Sequence, residues 1–104
     1  MSIKDTYRVV GSYRLGGNTH GIESSLSSAV TITVPSGAVG VLLQAETQNV
    51  RVRFDGTNPA AGGTGFVIVA GGDPQFFAIS SDMDLRAIEE SASAELQYLF
   101  YVQQ

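Results

Sequence analysis

Cysteine is absent from this 104-residue chain, and histidine occurs once, at His20. Without cysteine there is no disulfide framework, no thiolate metal site and no cysteine nucleophile. Small secreted domains often depend on disulfides, so their absence favours assembly in a reducing cytoplasm. Charge is scarce as well. Charged residues make up 15% of the chain, against about 25% in ordinary soluble domains. A free monomer normally shows water a charged surface. Interface cores are depleted in charge, so part of this surface is expected to be covered by copies of the chain or by another protein. No apolar run approaches the ~18 residues of a membrane-spanning helix. The opening MSIKDTYRVV has no apolar signal-peptide core before a small-residue cleavage site. Neither a membrane nor signal-directed export is expected.

The charges that are present sit unevenly. The net charge is −4. Residues 1–53 hold Lys4, Arg8, Arg14, Arg51 and Arg53, whereas residues 54–104 hold Arg86 as their one base among seven acids. An acidic second half lacks the basic stripe that tracks phosphates, so nucleic acid is not an expected partner. The length fits a single domain with a modest core.

Strand signals dominate what remains. TYRVVGSY (6–13), AVTITV (29–34), AVGVLLQAE (38–46), VRVRF (50–54), GFVIVA (65–70), PQFFAI (74–79), DLRAIE (84–89) and AELQYLFYVQ (94–103) are β-branched or aromatic runs. Pro35-Ser36-Gly37 and Asp55-Gly56 are turn signals between them. Gly40, inside an apolar run, marks a bulge or a close-contact point. No window sustains an apolar period of 3.6 residues. The segment 14–29, RLGGNTHGIESSLSSA, is polar and rich in glycine and serine, and it reads as a loop or an extended arm. The chain is therefore expected to be all-β: one antiparallel β-sandwich domain of about eight short strands, jelly-roll-like. In such a two-layer domain each strand turns one face to the core. The last strand carries Leu96, Tyr98, Phe100 and Val102 on one face, but also Leu99 and Tyr101 on the other. Leu99 and Tyr101 are thus candidates for an interface, with cover from within the chain as the alternative.

The loop from Gly56 to Gly65 is crowded with glycine but has no lysine, and a strand rather than a helix follows it. It therefore lacks the setting of a phosphate-binding loop and is expected to join two strands and project from the domain. His20 and Glu23 alone do not make a metal site, which takes three or four ligands. There is no Gly-x-Ser-x-Gly elbow. Asp82 and Asp84 flank Met83 as turn acids rather than a catalytic pair. No catalytic residue, cofactor site or metal site is expected. Arg51 and Arg53 project together from one strand face, roughly 7 Å apart. Arginine's planar fork suits carboxylates at interfaces, with Glu46 or an acid of a neighbour as partner. The other reading is a solvated face with internal salt bridges.

The run from Val41 to Glu89 resembles a pattern of small structural proteins of tailed bacteriophages. A strand ends in an acid, Glu46, and VRVRFDGTNPAA, GTGF, GGDPQFF and DLRAIE follow. The matching residues include Arg51, Arg53, Phe54, Asp55, Gly56, Thr57, Pro59, Gly65, Gly72, Asp73, Phe76, Leu85, Arg86 and Ile88, and LQYLFYVQ fits the closing strand. The match covers about half of the chain and leaves residues 1–30 unmatched. The resemblance implies a virion component of the capsid decoration (cement) type, a β-sandwich or jelly roll, often trimeric. It would sit on the outer capsid surface and bridge subunits of the major capsid protein. Arg51, Arg53, Leu99 and Tyr101 are then the candidate contacts. A head-fibre or tail accessory module that binds host carbohydrate through Tyr7, Tyr13 or Tyr101 is the rival reading.

Overall fold

The computed structural model describes residues 13–103, with side chains from residue 20 onward. Eight strands follow in chain order: β1 (Tyr13–Glu23), β2 (Val30–Ile32), β3 (Ala38–Glu46), β4 (Val50–Arg53), β5 (Phe66–Ile68), β6 (Gln75–Ala78), β7 (Leu85–Glu89) and β8 (Glu95–Gln103). They form two four-stranded sheets, ordered β1-β8-β3-β6 and β2-β7-β4-β5. Every paired strand is antiparallel. Only the β4–β5 connection stays within one sheet; each other connection crosses to the opposite layer. This is a β-sandwich with the interleaved strand order of a jelly roll.

Period-two alternation places the core. On β3, Val41, Leu43 and Ala45 are buried, while Leu42, Gln44 and Glu46 point outward. Val50 and Val52 of β4, Leu85 and Ala87 of β7, and Leu96 and Phe100 of β8 fill the space between the layers. Leu26, Ile79 and Ala94 close it from the loops. Phe100 is the largest fully buried side chain. Gly40 behaves as its sequence context predicts: the register of β3 on β8 shifts between Ala38 and Gly40, and the Phe76 ring lies over the glycine.

Segment 14–29 departs from its expected form. Its first part belongs to β1, paired along β8 from Tyr13↔Gln103 to Glu23↔Leu96, and only residues 24–29 are loop. A register shift between Leu15 and His20 interrupts the strand. Glycine and polar residues read as loop by composition, yet an edge strand tolerates both, because its outer hydrogen bonds go to water and an irregular edge resists adventitious pairing. Apart from Tyr13, the strand expected over 6–13 lies outside the described residues.

Candidate interaction surfaces

The two sheets present very different outer faces, and the four candidate contacts divide between them. Arg51 and Arg53 alternate with the buried Val50 and Val52, so they emerge on the outer face of the β2-β7-β4-β5 sheet. Arg86 of β7 is the cross-strand partner of Arg53 and shares that face. Three guanidinium groups in a row would repel one another, but each has a carboxylate: Arg51 Nε donates to Glu90 Oε1 at 2.6 Å, Arg53 bonds Asp55 through both Nε and Nη2, and Arg86 Nη2 donates to Asp84 Oδ2 at 2.8 Å. The pairs Arg53/Asp55 and Asp84/Arg86 are two residues apart, the spacing that puts strand neighbours on one face.

The same arginines hold the glycine loop. Arg51 Nη1 donates to the carbonyls of Gly63, at 2.7 Å, and Gly65, at 3.0 Å. Arg53 Nη1 donates to Thr64 Oγ1 and Arg86 Nη1 to Asn58 Oδ1. The amide of Gly62 donates to Glu90, and Pro59 is buried. Residues 54–65 therefore lie against the sheet instead of projecting from it, as their glycine content had led one to expect. Glu46 is not the arginines' partner. It belongs to the other sheet, where its carboxylate accepts from Gln97 Nε2. The loop contacts shift the acids. The Gly62 amide, and then the Arg51 guanidinium, hold the Glu90 carboxyl below its ordinary range. Arg53 and the Thr57 amide do the same for Asp55, and Asp55 in turn raises Arg53.

Leu99 and Tyr101 lie on the outer face of the β1-β8-β3-β6 sheet, which residues 71–74 border, with Gln44 Nε2 donating to the Gly72 carbonyl at 3.2 Å. Register brings Leu42, Leu99 and His20 into one row across β3, β8 and β1, and Gln44, Gln97 and Ile22 into the next. Phe76 pairs with Leu42, and its ring meets Tyr101 edge-on with centroids 5.8 Å apart. Ile22 is 56% exposed and Phe76 50%; Leu42, Leu99 and Tyr101 are half-buried. A polar chain crosses the lower part of this face, with His20 Nε2 2.8 Å from Gln97 Oε1 and the Gln97 amide on Glu46. His20 is thus tied to an amide, not gathered with other ligands. Among the described residues no three His, Asp or Glu side chains converge as a metal site would require. Asp82 and Asp84 take separate partners, Ser80 and Arg86.

A second apolar surface lies at the β5 edge of the other sheet. Val52, Phe54, Phe66 and Met83 line an open cleft of about 540 Å³, with Arg53 and Asp55 at its rim. Phe66 is 64% exposed although its ring still reaches Phe77, 6.0 Å between centroids. Neither this cleft nor the Phe76–Tyr101 pair was legible in the sequence. Both depend on which strands become neighbours, and the local pattern around Phe66 and Phe76 reads only as strand. No protein-family model matches the sequence, and no curated protein matches it.

Proposed function

We propose that this chain is a non-enzymatic structural protein of a tailed-bacteriophage virion, a capsid decoration (cement) protein that seats on the outer capsid surface and ties neighbouring capsid subunits together. One observation carries the reading: among the described residues, the outer face of the β1-β8-β3-β6 sheet displays the exposed Ile22 and Phe76 beside the half-buried Leu99 and Tyr101, while the arginine-bound loop lies against part of the opposite sheet. Exposed apolar side chains gathered on one face mark a contact site. The sheet face measures about 20 Å by 30 Å, roughly 600 Å², from strand spacing and rise. That is below the ~800 Å² per partner of a standard stable interface. A contact of this size holds when many copies act at once, which is the situation on a capsid. The chain works as a homo-oligomer, a trimer by the phage resemblance, and the β5 edge supplies the apolar surface between copies.

The test is sedimentation of the purified protein with intact particles, counting its copies against the major capsid protein. Copy numbers that scale with the capsid subunits are expected. A handful of copies per particle would instead place the protein at the tail or portal, and glycan binding without particle binding would favour the carbohydrate-binding module. Leu99→Glu places a charge in the contact and is expected to reduce occupancy at least tenfold, about 1.4 kcal/mol. Arg51→Ala with Arg53→Ala is expected to lower occupancy less than Leu99→Glu does, because both guanidinium groups are engaged within the chain, where they hold the loop that leads to β5.

A further inference from the structure

The bare sheet face is apolar at one end and acidic at the other, and this polarity describes the segment that fits it. Leu42 and Leu99 floor a shallow depression of about 90 Å³, walled by His20, Gln44, Gln97 and Pro74. Gln44 and Gln97 also border an adjoining groove of about 450 Å³ that runs past Glu46, Thr47 and Gly71. At this end Glu46 and Glu95 stand directly opposite each other in the β3–β8 register. Like charges so placed destabilise a strand pair unless a cation intervenes. Within the chain no described cation does. Arg51, Arg53 and Arg86 all lie on the other sheet, each already paired with a carboxylate. Among the described side chains, the Glu46 carboxylate meets only the Gln97 amide.

We infer that this face receives an extended, apolar segment of a partner protein that carries one lysine or arginine, with the cationic head in the groove at Glu46 and the apolar residues on Leu42, Leu99 and Phe76. The inference rests on the reading of this face as the docking face, and it adds the partner's chemistry. Leu42, Gln44 and Glu46 alternate along β3 at about 7 Å intervals. An extended segment laid along the strand therefore presents a residue two positions from its cation over Gln44 and Gln97, and one four positions away, which must be apolar, on Leu42, Leu99 and Phe76. A guanidinium or ammonium group beside these two acids replaces a repulsion with attractions, on the modest scale of a solvent-exposed pair, since Glu95 is exposed.

The probe is a blocked peptide, Thr-Leu-Thr-Leu-Thr-Lys-Thr, and its twin with glutamate in place of lysine, each titrated into the isotope-labelled full chain and followed by backbone amide shifts. The lysine peptide is expected to move the amides around Glu46, Gln97 and Leu99 and to bind about fivefold more tightly than its twin, the scale of an exposed ion pair. Glu46→Gln keeps an acceptor for Gln97 but is expected to erase that preference. So is a rise from about 0.01 M to about 1 M salt, which shortens the screening length from ~30 Å to ~3 Å. Equal binding of the two peptides, no binding of either, or shifts confined to the β5 edge would each overturn the inference. These readouts involve no particles, so loss of the lysine preference counts against this inference alone. Failure to sediment with capsids counts against the decoration role alone.

Discussion

Gly21 and Gly40 lie in the same sheet, and each sits beneath an aromatic ring. A Cβ at Gly40 would strike the far edge of the Phe76 ring, and one at Gly21 would strike the ring of Tyr98. The two collisions are unequal because the rings differ in freedom. Phe76 is half-exposed on the outer face and can swing into water. Tyr98 is packed against the core and meets the Phe100 ring with centroids 5.6 Å apart. Alanine in a strand gains about 0.5–1 kcal/mol over glycine. Loss of the Phe76–Tyr101 edge contact costs about 0.5–1.5 kcal/mol. Gly40→Ala is therefore expected to leave the urea midpoint nearly unchanged while turning Phe76 off the docking face and weakening particle binding. Gly21→Ala drives a ring into packed neighbours and is expected to cost about 1–3 kcal/mol. Equal midpoints for the two variants would show that the Tyr98 ring is not confined as its contacts indicate.

The β4–β5 connection gains its order from three arginines and two acids, and acid should undo it. Glu90 and Asp55 both titrate below the ordinary carboxylate range because the folded loop stabilises their charged forms. A depressed carboxyl contributes stability that is fully present above its unfolded pKa, about 4, and is lost as pH falls through the folded value. Amide exchange at Gly62–Gly65 is thus expected to lose protection as pH falls below about 4, after correction for intrinsic rates. Glu90→Gln should produce the same loosening at neutral pH without disturbing the core strands. Pairing of Arg51 with Glu90, 39 positions away, has no signature in the local sequence. The alternation of VRVRF announces only that the arginines share a face. Seven of the eight strands were legible for a similar reason: their apolar alternation and turn residues are local. AVGVLLQAE coincides with β3 residue for residue. β1 was not legible, because an edge strand built on Leu15, Gly16, Gly17 and Asn18 carries no alternation and is ordered by β8, far along the chain.

Across the whole molecule, two apolar surfaces stand out, one on the outer face of the β1-β8-β3-β6 sheet and one at the β5 edge of the other sheet. The sheet face around Leu99 and Tyr101 was foreshadowed by the doubly apolar last strand. The β5 edge was not, since Phe66 pairs with Val52 on the inward side and is left open only because β5 is short and terminal in its sheet. Two distinct patches on one chain permit a ring of copies, each edge meeting its neighbour, while every sheet face remains free to seat on a common support. Substitution should separate the two roles. Phe66→Glu alters a mostly exposed ring, so the chain is expected to stay folded but to sediment as a monomer. Its attachment to particles should then weaken by ~100-fold or more although every sheet-face contact remains, because the avidity of linked copies is lost. Leu99→Glu should do the reverse, leaving the oligomer intact and abolishing attachment. Velocity sedimentation of both variants, alone and with particles, separates the outcomes. If Phe66→Glu stays oligomeric while Leu99→Glu falls apart, the two surfaces exchange roles: the sheet face joins copies, and the cleft beside Met83 meets the capsid.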